Sequence, residues 1–296
     1  MSLKNRRAIL AGCARNCGRH LDGVLENMGR LGALFGETAV VVTENDSQDD
    51  TRARLDDWLA RRPQGHLISL DGLDADVPNR TARIAAARNA YLEFAFERYP
   101  SFDHLIVFDM DDVNARPIAV DGFQQAVHFL DADATRAAVF ANQRTRYYDI
   151  SAVRHATWSP GDCWKDVAAR PRWMSWPTAM ITRVHRRQFP IPETAAPVRV
   201  RSAGGGLGVY KLSWLLHSRY AGIAADGSDV CEHVPLNLDI CARGGALYVF
   251  PGLLNDAPAE HLFDASRFSA ADVTLMRLIV ATQTLVPPWK SLYRTY

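Results

Sequence analysis

The sequence carries almost no net charge, few cysteines and no paired-cysteine motif. Its 296 residues sum to a formal charge of +1, so the chain has no overall electrostatic footprint for nucleic acid. A local basic cluster, RVHRRQF at residues 183–189, is a candidate phosphate contact, although such clusters are more often solvated surface. The five cysteines are scattered and lack the C-x-x-C spacing of a zinc site. This usage indicates reduced thiols and a cytoplasmic protein.

The sequence also has no long uninterrupted apolar run, and we expect no targeting leader. The most apolar late stretch, TLMRLIVATQTLV, is interrupted by Arg277 and Gln283, so it is expected to dock on the protein as a helix rather than to cross a bilayer. There is no charged and then apolar leader, no internal repeat and no low-complexity tract. With 48% hydrophobic and 23% charged residues, the composition is that of one large α/β domain or two coupled lobes. Peripheral contact with a membrane surface stays compatible with this pattern.

Short apolar runs alternate with helical patterns in the first third of the chain. The runs RAILAGC, TAVVVT, HLISL and HLIVF each predict a buried strand. Apolar residues recur at three- and four-residue steps from Leu21 to Leu34, which predicts an amphipathic helix. Ser47 is predicted to cap a helix over DDTRARLDDWLA, and a long helix is predicted around residues 80–99. This order predicts a doubly wound, mostly parallel α/β sheet that binds ligands beyond the carboxyl ends of its strands.

Polar clusters follow three of these predicted strands. Arg15 comes after the first strand, Glu44 and Asp46 after the second, and Asp109 and Asp111 after the fourth. Loops are polar in general, but that explains three clusters at one sheet edge less well than a ligand site does.

The stretch HLIVFDMDDVN places three aspartates within four residues. Carboxylates this close repel one another unless a cation, a hydrogen-bond donor or a proton relieves them. Mg²⁺ or Mn²⁺ usually takes one or two carboxylates and completes its shell with water and substrate phosphates, which suits Asp109 and Asp111. The alternative is a turn whose aspartates cap backbone amides, and Asp112 is the better candidate for that role.

Arg88 is expected to point into the protein. It lies four residues after Ile84 and three before Tyr91, both on the apolar stripe of the long predicted helix. A buried guanidinium needs an anionic partner. Helix geometry leaves two partners open, a structural carboxylate and a bound phosphate.

The second half adds two predicted strands, AAVFANQ and ALYVFPGLL, and two candidate motifs. The stretch SAGGGLG, which contains Gly205 and Gly206, lets backbone approach a ligand but equally suits a tight entry into a strand. In CEHVPLNLDICARGG, Glu232 or His233 is chemically able to act as a base, and histidine also suits a transition metal. A loop-rich, tryptophan-bearing segment at residues 146–177 is expected either to line a sugar site or to pack a second lobe.

Three stretches carry a family resemblance. In order and spacing, ENDSQDDT, AARNAYLEFA and IVFDMDD resemble the nucleotide-binding half of GT-A-fold glycosyltransferases, in particular the family-2-like group. The resemblance is strong up to residue 115 and weaker up to residue 256. It implies a GT-A (Rossmann-like) sheet with a smaller acceptor-side lobe, a nucleoside-diphosphate sugar as donor, and Mn²⁺ or Mg²⁺ as cofactor.

The resemblance also implies roles for single residues. Asp46, supported by Glu44, contacts the nucleotide base, although two consecutive aspartates are more usual there, so the base is left open. Asp109 approaches the ribose and Asp111 binds the metal. His233 stands where aspartate is more usual; either it or Glu232 is the general base, and it is also a candidate third metal ligand after Asp109 and Asp111. The donor-binding residues are Arg15, Glu44, Asp46, Arg83, Arg88, Asp109, Gly205 and Gly206.

The predicted organisation is a nucleotide-sugar-binding half at 1–115, an acceptor-binding and catalytic half of the same domain at 116–265, and a C-terminal helix and tail at 266–296. The expected reaction is metal-dependent transfer of a sugar from a UDP- or GDP-linked donor to an acceptor hydroxyl of a saccharide or glycolipid, with inversion, in surface polysaccharide or glycolipid synthesis. One rival is a phosphatase of the haloacid dehalogenase type, with Asp109 as nucleophile and Asp111 as acid/base; that group's motif normally follows the first strand. Another is a non-catalytic nucleotide-sugar binder.

Overall fold

The computed structural model describes residues 2–294. Met1 and the last two residues of the predicted C-terminal segment lie outside the described residues. Within residues 2–294, eight strands form one sheet. In chain order they are β1 (Arg7–Ala14), β2 (Glu37–Glu44), β3 (Gly65–Ser69), β4 (His104–Asp109), β5 (Arg136–Gln143), β6 (Val198–Val200), β7 (Leu207–Lys211) and β8 (Ala246–Asn255).

The sheet has the strand order β3-β2-β1-β4-β7-β5-β8-β6. Parallel pairing joins β3, β2, β1 and β4 into one group and joins β5 to β8. Strand β7 runs antiparallel to both β4 and β5 and therefore lies between the two parallel groups. Strand β6 pairs antiparallel with β8 at the edge. The prediction of a mostly parallel α/β sheet is confirmed, with β6 and β7 as its antiparallel members.

Helices cover both faces of the sheet, and the predicted strands and the long predicted helix are confirmed. The helices are α1 (Gly18–Gly32), α2 (Thr51–Ala60), α3 (Leu73–Asp76), α4 (Arg80–Arg98), α5 (Val120–Asp131), α6 (Cys163–Ala168), α7 (Trp176–Arg183), α8 (His233–Ala242) and α9 (Ala270–Leu285). The predicted apolar stripe of α1 is buried at Leu21, Val24, Leu25, Met28 and Leu31.

Alternate residues of the central strands pack on opposite faces, as the pleat of a strand requires. In β1, Ile9 belongs to a core cluster with apolar residues of α4 and α8, whereas Leu10 belongs to a cluster with those of α1 and α5. In β4, the five residues that precede Asp109 are all buried. This agrees with the continuous apolar run HLIVF, which is typical of a strand covered on both faces.

The prediction that Ser47 caps a helix is wrong. Helix α2 begins at Thr51, whose amide donates to Asp49 Oδ1 at 3.0 Å. A carboxylate two residues before the helix thus satisfies one of its free amides. Ser47 instead accepts a hydrogen bond from the Asn16 amide at 3.1 Å. It joins the loops that follow β1 and β2, at the sheet edge where the polar clusters lie.

The tryptophan-bearing segment at residues 146–177 contains α6 and the first two residues of α7. Helix α6 packs on α7, and α7 packs on α9. The apolar late stretch forms most of α9, as predicted. Among the helices of residues 2–294, none combines the length and the apolar character that crossing a bilayer requires.

Candidate functional site

A cavity of about 900 Å³ opens at the carboxyl ends of β1 and β4, a size typical of small-molecule sites. The loops after these strands, α4, the start of α8 and parts of the second half form its wall. The predicted site residues that line it are Arg15, Arg83, Arg88, Asp109, Asp111, Glu232 and His233. The other four predicted residues, Glu44, Asp46, Gly205 and Gly206, lie outside the lining.

Arg88 joins two predicted site carboxylates from different parts of the chain. The side chain points inward from α4, and the residue is 5% exposed. Its Nη2 donates to Asp109 Oδ1 at 2.7 Å, and its Nε donates to Glu232 Oε1 at 2.8 Å. The sequence left two kinds of partner open for Arg88, a structural carboxylate and a bound phosphate. In the structure its partners are carboxylates.

The Arg88 charge decides the ionisation of Asp109. Burial favours the neutral acid, but Arg88, helped by His233, outweighs burial and lowers the pKa of the Asp109 carboxyl. Asp109 is therefore ionised at neutral pH, and its Oδ1 already accepts a hydrogen bond from Arg88.

Asp111 lies in the opposite electrostatic situation. Its side chain reaches solvent on one side. Desolvation by the surrounding protein and, to a smaller degree, repulsion from the Asp109 carboxylate nevertheless raise its pKa to about 7. A divalent cation would relieve this repulsion, so the pair fits a metal in that respect. Within residues 2–294, no three His, Cys, Asp or Glu side chains converge closely enough to hold a metal by themselves. Water and ligand phosphates would complete the shell, as is usual for Mg²⁺.

Gly205 and Gly206 position the aspartate turn from behind. Both have positive φ, +70° and +77°, and a Cβ at Gly206 would lie 2.7 Å from the Val113 side chain. The Gly206 carbonyl accepts from the Asp109 amide at 2.8 Å and from Asn114 Nδ2 at 2.6 Å. Of the two roles open from the sequence, these contacts match the tight entry into β7, which begins at the next residue.

The carboxylates of the acidic loop after β2 accept hydrogen bonds from backbone amides. Glu44 is 1% exposed, and its Oε1 accepts from the Ser47 amide at 2.9 Å. Asp46, at φ 52°, accepts from the Gly72 and Asp74 amides at 2.7 and 2.9 Å. Asn45, between them, lines the cavity. The assignment of Asp46 and Glu44 to a nucleotide base stays a prediction.

Arg15 and Arg83 share one carboxylate at the cavity rim. Arg15 Nη1 donates to Asp74 Oδ1 at 3.1 Å, and Arg83 Nη1 lies 2.8 Å from the same oxygen. Asp74 is exposed, so this pairing is screened by water and contributes little stability. The Arg15 guanidinium, 33% exposed, can therefore turn toward an anionic ligand at small cost, whereas Arg83 is 16% exposed and its Nη1 also donates to the Val77 and Pro78 carbonyls at 3.0 and 2.8 Å.

Glu232 and His233 lie where α8 begins. Glu232 Oε1, held by Arg88, is 3.5 Å from His233 Nε2. Burial and then the Arg88 charge lower the pKa of His233, so its imidazole is neutral at pH 7. Its Nδ1 is buried without a hydrogen-bond partner among the described residues. With the proton on Nε2, next to the Glu232 carboxylate, Nδ1 carries an unused lone pair.

Comparison with known proteins gives matches in structure but not in sequence. No protein-family model and no curated protein matches the chain. A mannosyltransferase from Pyrobaculum calidifontis, solved with GDP-Man and Mn²⁺, is 16% identical with a TM-score of 0.50, and the match covers 96% of this chain and 72% of that one. Glucosyl-3-phosphoglycerate synthase from Mycobacterium tuberculosis, solved with UDP, is 15% identical with a TM-score of 0.45, covering 93% and 79%. TarS 1–349 from S. aureus is 11% identical with a TM-score of 0.45, covering 97% and 74%.

The chain has the GT-A fold. The likeness to the mannosyltransferase extends over nearly the whole chain. The fold implied by the three sequence stretches is therefore confirmed.

Several cavity residues of this GT-A fold were not singled out from the sequence, although four of them lie in the segment at residues 146–177, for which lining a site was one of two expectations. Tyr148 stacks on His261 with ring centroids 5.6 Å apart and planes at 11°. Asp149 Oδ2 accepts from the Gly205 amide at 3.0 Å. Trp164 and Trp176 line the cavity while 48% and 49% exposed. Asp149 follows β5 as the other clusters follow their strands, so the same rule would have found it, whereas His261 offered no such signal.

Asparagine at position 111 is expected to stabilise the GT-A fold at neutral pH. Because the folded state raises the pKa of Asp111, stability falls as pH rises from about 4 to about 7 and stays lower above that range. Asp111→Asn removes this loss. After allowance for solvent screening, we expect a gain of about 1 kcal/mol at about pH 8, or about 2 °C in Tm, and none at about pH 4.

Thermal unfolding at both pH values measures the effect, with Asp56→Asn, at an exposed position of α2, as the matched control that should change Tm little at either pH. Equal Tm values for the wild type and Asp111→Asn at the higher pH would contradict the raised pKa.

Proposed function

We propose that this chain is a glycosyltransferase that moves a sugar from a UDP- or GDP-linked nucleoside-diphosphate sugar to the hydroxyl of a saccharide or glycolipid acceptor. The observation that carries the proposal is the convergence of Asp109, Asp111 and the Arg88–Glu232 pair on one cavity of a GT-A fold. The mannosyltransferase of similar fold was solved with GDP-Man and Mn²⁺, which supports a nucleotide-sugar donor. A place in surface polysaccharide or glycolipid synthesis is part of the same proposal.

Asp111, with Asp109 beside it, would hold Mn²⁺ or Mg²⁺. When bound, the metal supplies positive charge opposite the diphosphate leaving group. Arg88 keeps Asp109 ionised and fixed, so that Asp109 is available to the ribose side of the donor. Arg15 is proposed to exchange Asp74 for the diphosphate, with Arg83 held beside it on the cavity wall by the Val77 and Pro78 carbonyls.

His233 is proposed as the general base, with Glu232 as its positioning residue. The Glu232 carboxylate is held by Arg88, whereas His233 Nδ1 has an unused lone pair on a neutral ring. A base must accept the acceptor's hydroxyl proton as the new glycosidic bond forms. The neutral His233 ring has the protonation state that this role needs at neutral pH, and such a base is what an inverting reaction requires.

The phosphatase alternative finds less support. Its nucleophile would be Asp109, but Asp109 Oδ1 accepts from Arg88 at 2.7 Å. The strand that ends at Asp109 is also the fourth of a GT-A sheet, not the first strand of the chain. The alternative of a non-catalytic nucleotide-sugar binder is tested by measuring sugar release, as described below.

Thermal shift with a panel of nucleoside diphosphates and nucleotide sugars, with and without Mn²⁺, tests the proposal. We expect one nucleotide to stabilise the protein only when Mn²⁺ is present, by about 2.7 kcal/mol at about 100 times its Kd. Asp111→Ala should abolish this shift, whereas Asp112→Ala should retain it.

Slow release of free sugar from the stabilising nucleotide sugar distinguishes an enzyme from a binder. Stabilisation without any hydrolysis or transfer would favour the non-catalytic alternative. An equal shift in the absence of metal would rule out the metal assignment.

A further inference from the structure

Helix α9 packs on the protein along one side only. Met276 is buried, and Gln283 Nε2 donates to the Arg186 carbonyl at 2.7 Å. On another side, Leu278 and Leu285 are 61% and 82% exposed. These two leucines are seven residues apart and therefore lie on the same face of the helix. The helix thus presents apolar side chains to solvent.

Two more exposed apolar residues lie next to α7 and α9 in the chain. Val286, directly after α9, is 77% exposed, and Trp173, shortly before α7, is 81% exposed. Helices α7 and α9 pack together, with Thr178 Oγ1 donating to Asp272 Oδ1 at 2.9 Å. Two helices that pack together thus carry, or are flanked by, exposed apolar side chains, and exposed apolar surface of this kind is typical of an interaction site.

The two chain segments that carry these side chains are basic. Residues 167–192 hold five arginines, and residues 273–296 hold two arginines and one lysine, with no Asp or Glu in either range. Since the whole chain is only +1, the rest of it is net negative. The exposed cations of the two segments are Arg172, Arg186, Arg277, Lys290 and Arg294.

We infer that this docking face binds the surface of an anionic lipid bilayer; it comprises Trp173, Leu278, Leu285, Val286 and the five exposed cations. Apolar and tryptophan side chains enter the boundary between headgroups and acyl chains, and lysine and arginine lie near anionic headgroups. The charge separation within the chain orients the basic side toward such a surface. A second copy of the chain fits less well, because a two-fold contact would bring two basic faces together.

The docking face also adjoins the cavity. Trp176, the first residue of α7, lines the cavity while half of it is exposed, and it lies three residues after Trp173. If the proposed function holds, the cavity mouth lies near the membrane surface, where an acceptor carried by a lipid would be presented. The membrane contact itself does not depend on that function.

Flotation with vesicles tests the inference without donor or acceptor. Vesicles of phosphatidylcholine containing about 30% phosphatidylglycerol should bind the protein, and vesicles of phosphatidylcholine alone should bind it at least about tenfold less. Leu278→Ser with Leu285→Ser, and separately Arg186→Glu with Arg277→Glu, should each weaken binding about tenfold or more. Binding should also weaken as salt is raised.

Matched controls come from exposed residues outside the docking face. Leu216, 54% exposed, is replaced by serine, and Arg19, exposed at the start of α1, is replaced by glutamate. Both controls should bind like the wild type, and all variants should keep the wild-type Tm.

The inference is overturned if anionic vesicles do not bind, or if binding ignores both docking-face variants. It is also overturned if analytical ultracentrifugation finds a dimer that Leu278→Ser with Leu285→Ser dissociates, since the face would then be a subunit interface. Vesicle binding without any nucleotide-dependent thermal shift would leave this inference standing while the proposed function fails.

Discussion

Replacing Arg88 with methionine is expected to lower the free energy of unfolding by about 3–5 kcal/mol at about pH 7.5. The guanidinium is buried and pairs with both Asp109 and Glu232, so its removal leaves two carboxylates without their cation. Methionine keeps a long apolar stem, so loss of packing contributes little. Sugar transfer should fall as well, because the two carboxylates lose the group that sets their relative position.

The pH dependence of stability separates this explanation from a simple packing defect. In the wild type, burial favours the neutral acid, but Arg88 outweighs it and lowers the pKa of Asp109. The resulting stabilisation is present above the unfolded pKa of about 3.9 and is lost as pH falls through the folded value. Without Arg88, burial raises the pKa of Asp109. The variant should therefore gain stability as pH falls from about 7.5 to about 5.

Chemical denaturation at the two pH values measures both effects. Arg98→Met, at the exposed end of the same helix, is the matched control and should stay within about 0.5 kcal/mol of the wild type. An Arg88→Met protein as stable as the wild type at the higher pH would show that neither ion pair contributes to the fold.

Replacing His233 with glutamine is expected to lower kcat for sugar transfer by about 10²–10⁴-fold. Burial and then the Arg88 charge lower the pKa of His233 from its ordinary value of 6.5. Wild-type kcat should therefore rise with pH through an apparent pKa below 6.5 and be flat at neutral pH, because only the neutral ring accepts a proton. The rise should vanish in His233→Gln.

Two variants make the assignment to His233 specific. Glu232→Gln keeps a hydrogen-bond acceptor for Arg88 and should lower kcat less, with the acid limb retained. His217→Gln, at an exposed histidine outside the cavity lining, should leave both kcat and its pH profile unchanged. If Glu232→Gln removes the acid limb and His233→Gln does not, Glu232 is the base.

Local periodicity made much of the fold predictable. The continuous apolar run before Asp109 is typical of a strand covered on both faces, and such a strand lies at the centre of the observed sheet. The polar residues after successive parallel strands meet at one edge for the same geometrical reason. Arg15, Asp109 and Asp111 therefore reached one cavity, as expected from their positions in sequence.

Contacts between distant segments were not predictable in this way. The partner of Arg88 stayed open because Glu232 lies 144 residues further along the chain, and no periodic pattern relates two such positions. The insertion of β7 between β4 and β5 is likewise a property of strand pairing, not of either strand's own sequence. The helix cap at Ser47 was wrong because Asn16, from another loop, competes for that hydroxyl.

The insertion of β7 also orders events during synthesis. A ribosome releases β1 to β4 well before β7, and one edge of β4 pairs only with β7 in the finished sheet. Until then, a nascent chain carries an apolar strand with an open edge, which is a template for pairing with the wrong segment. Glu232 emerges later still, so the ion pair between Arg88 and Glu232 forms after the one between Arg88 and Asp109. The interior of the cavity is accordingly among the last parts of the molecule to be completed.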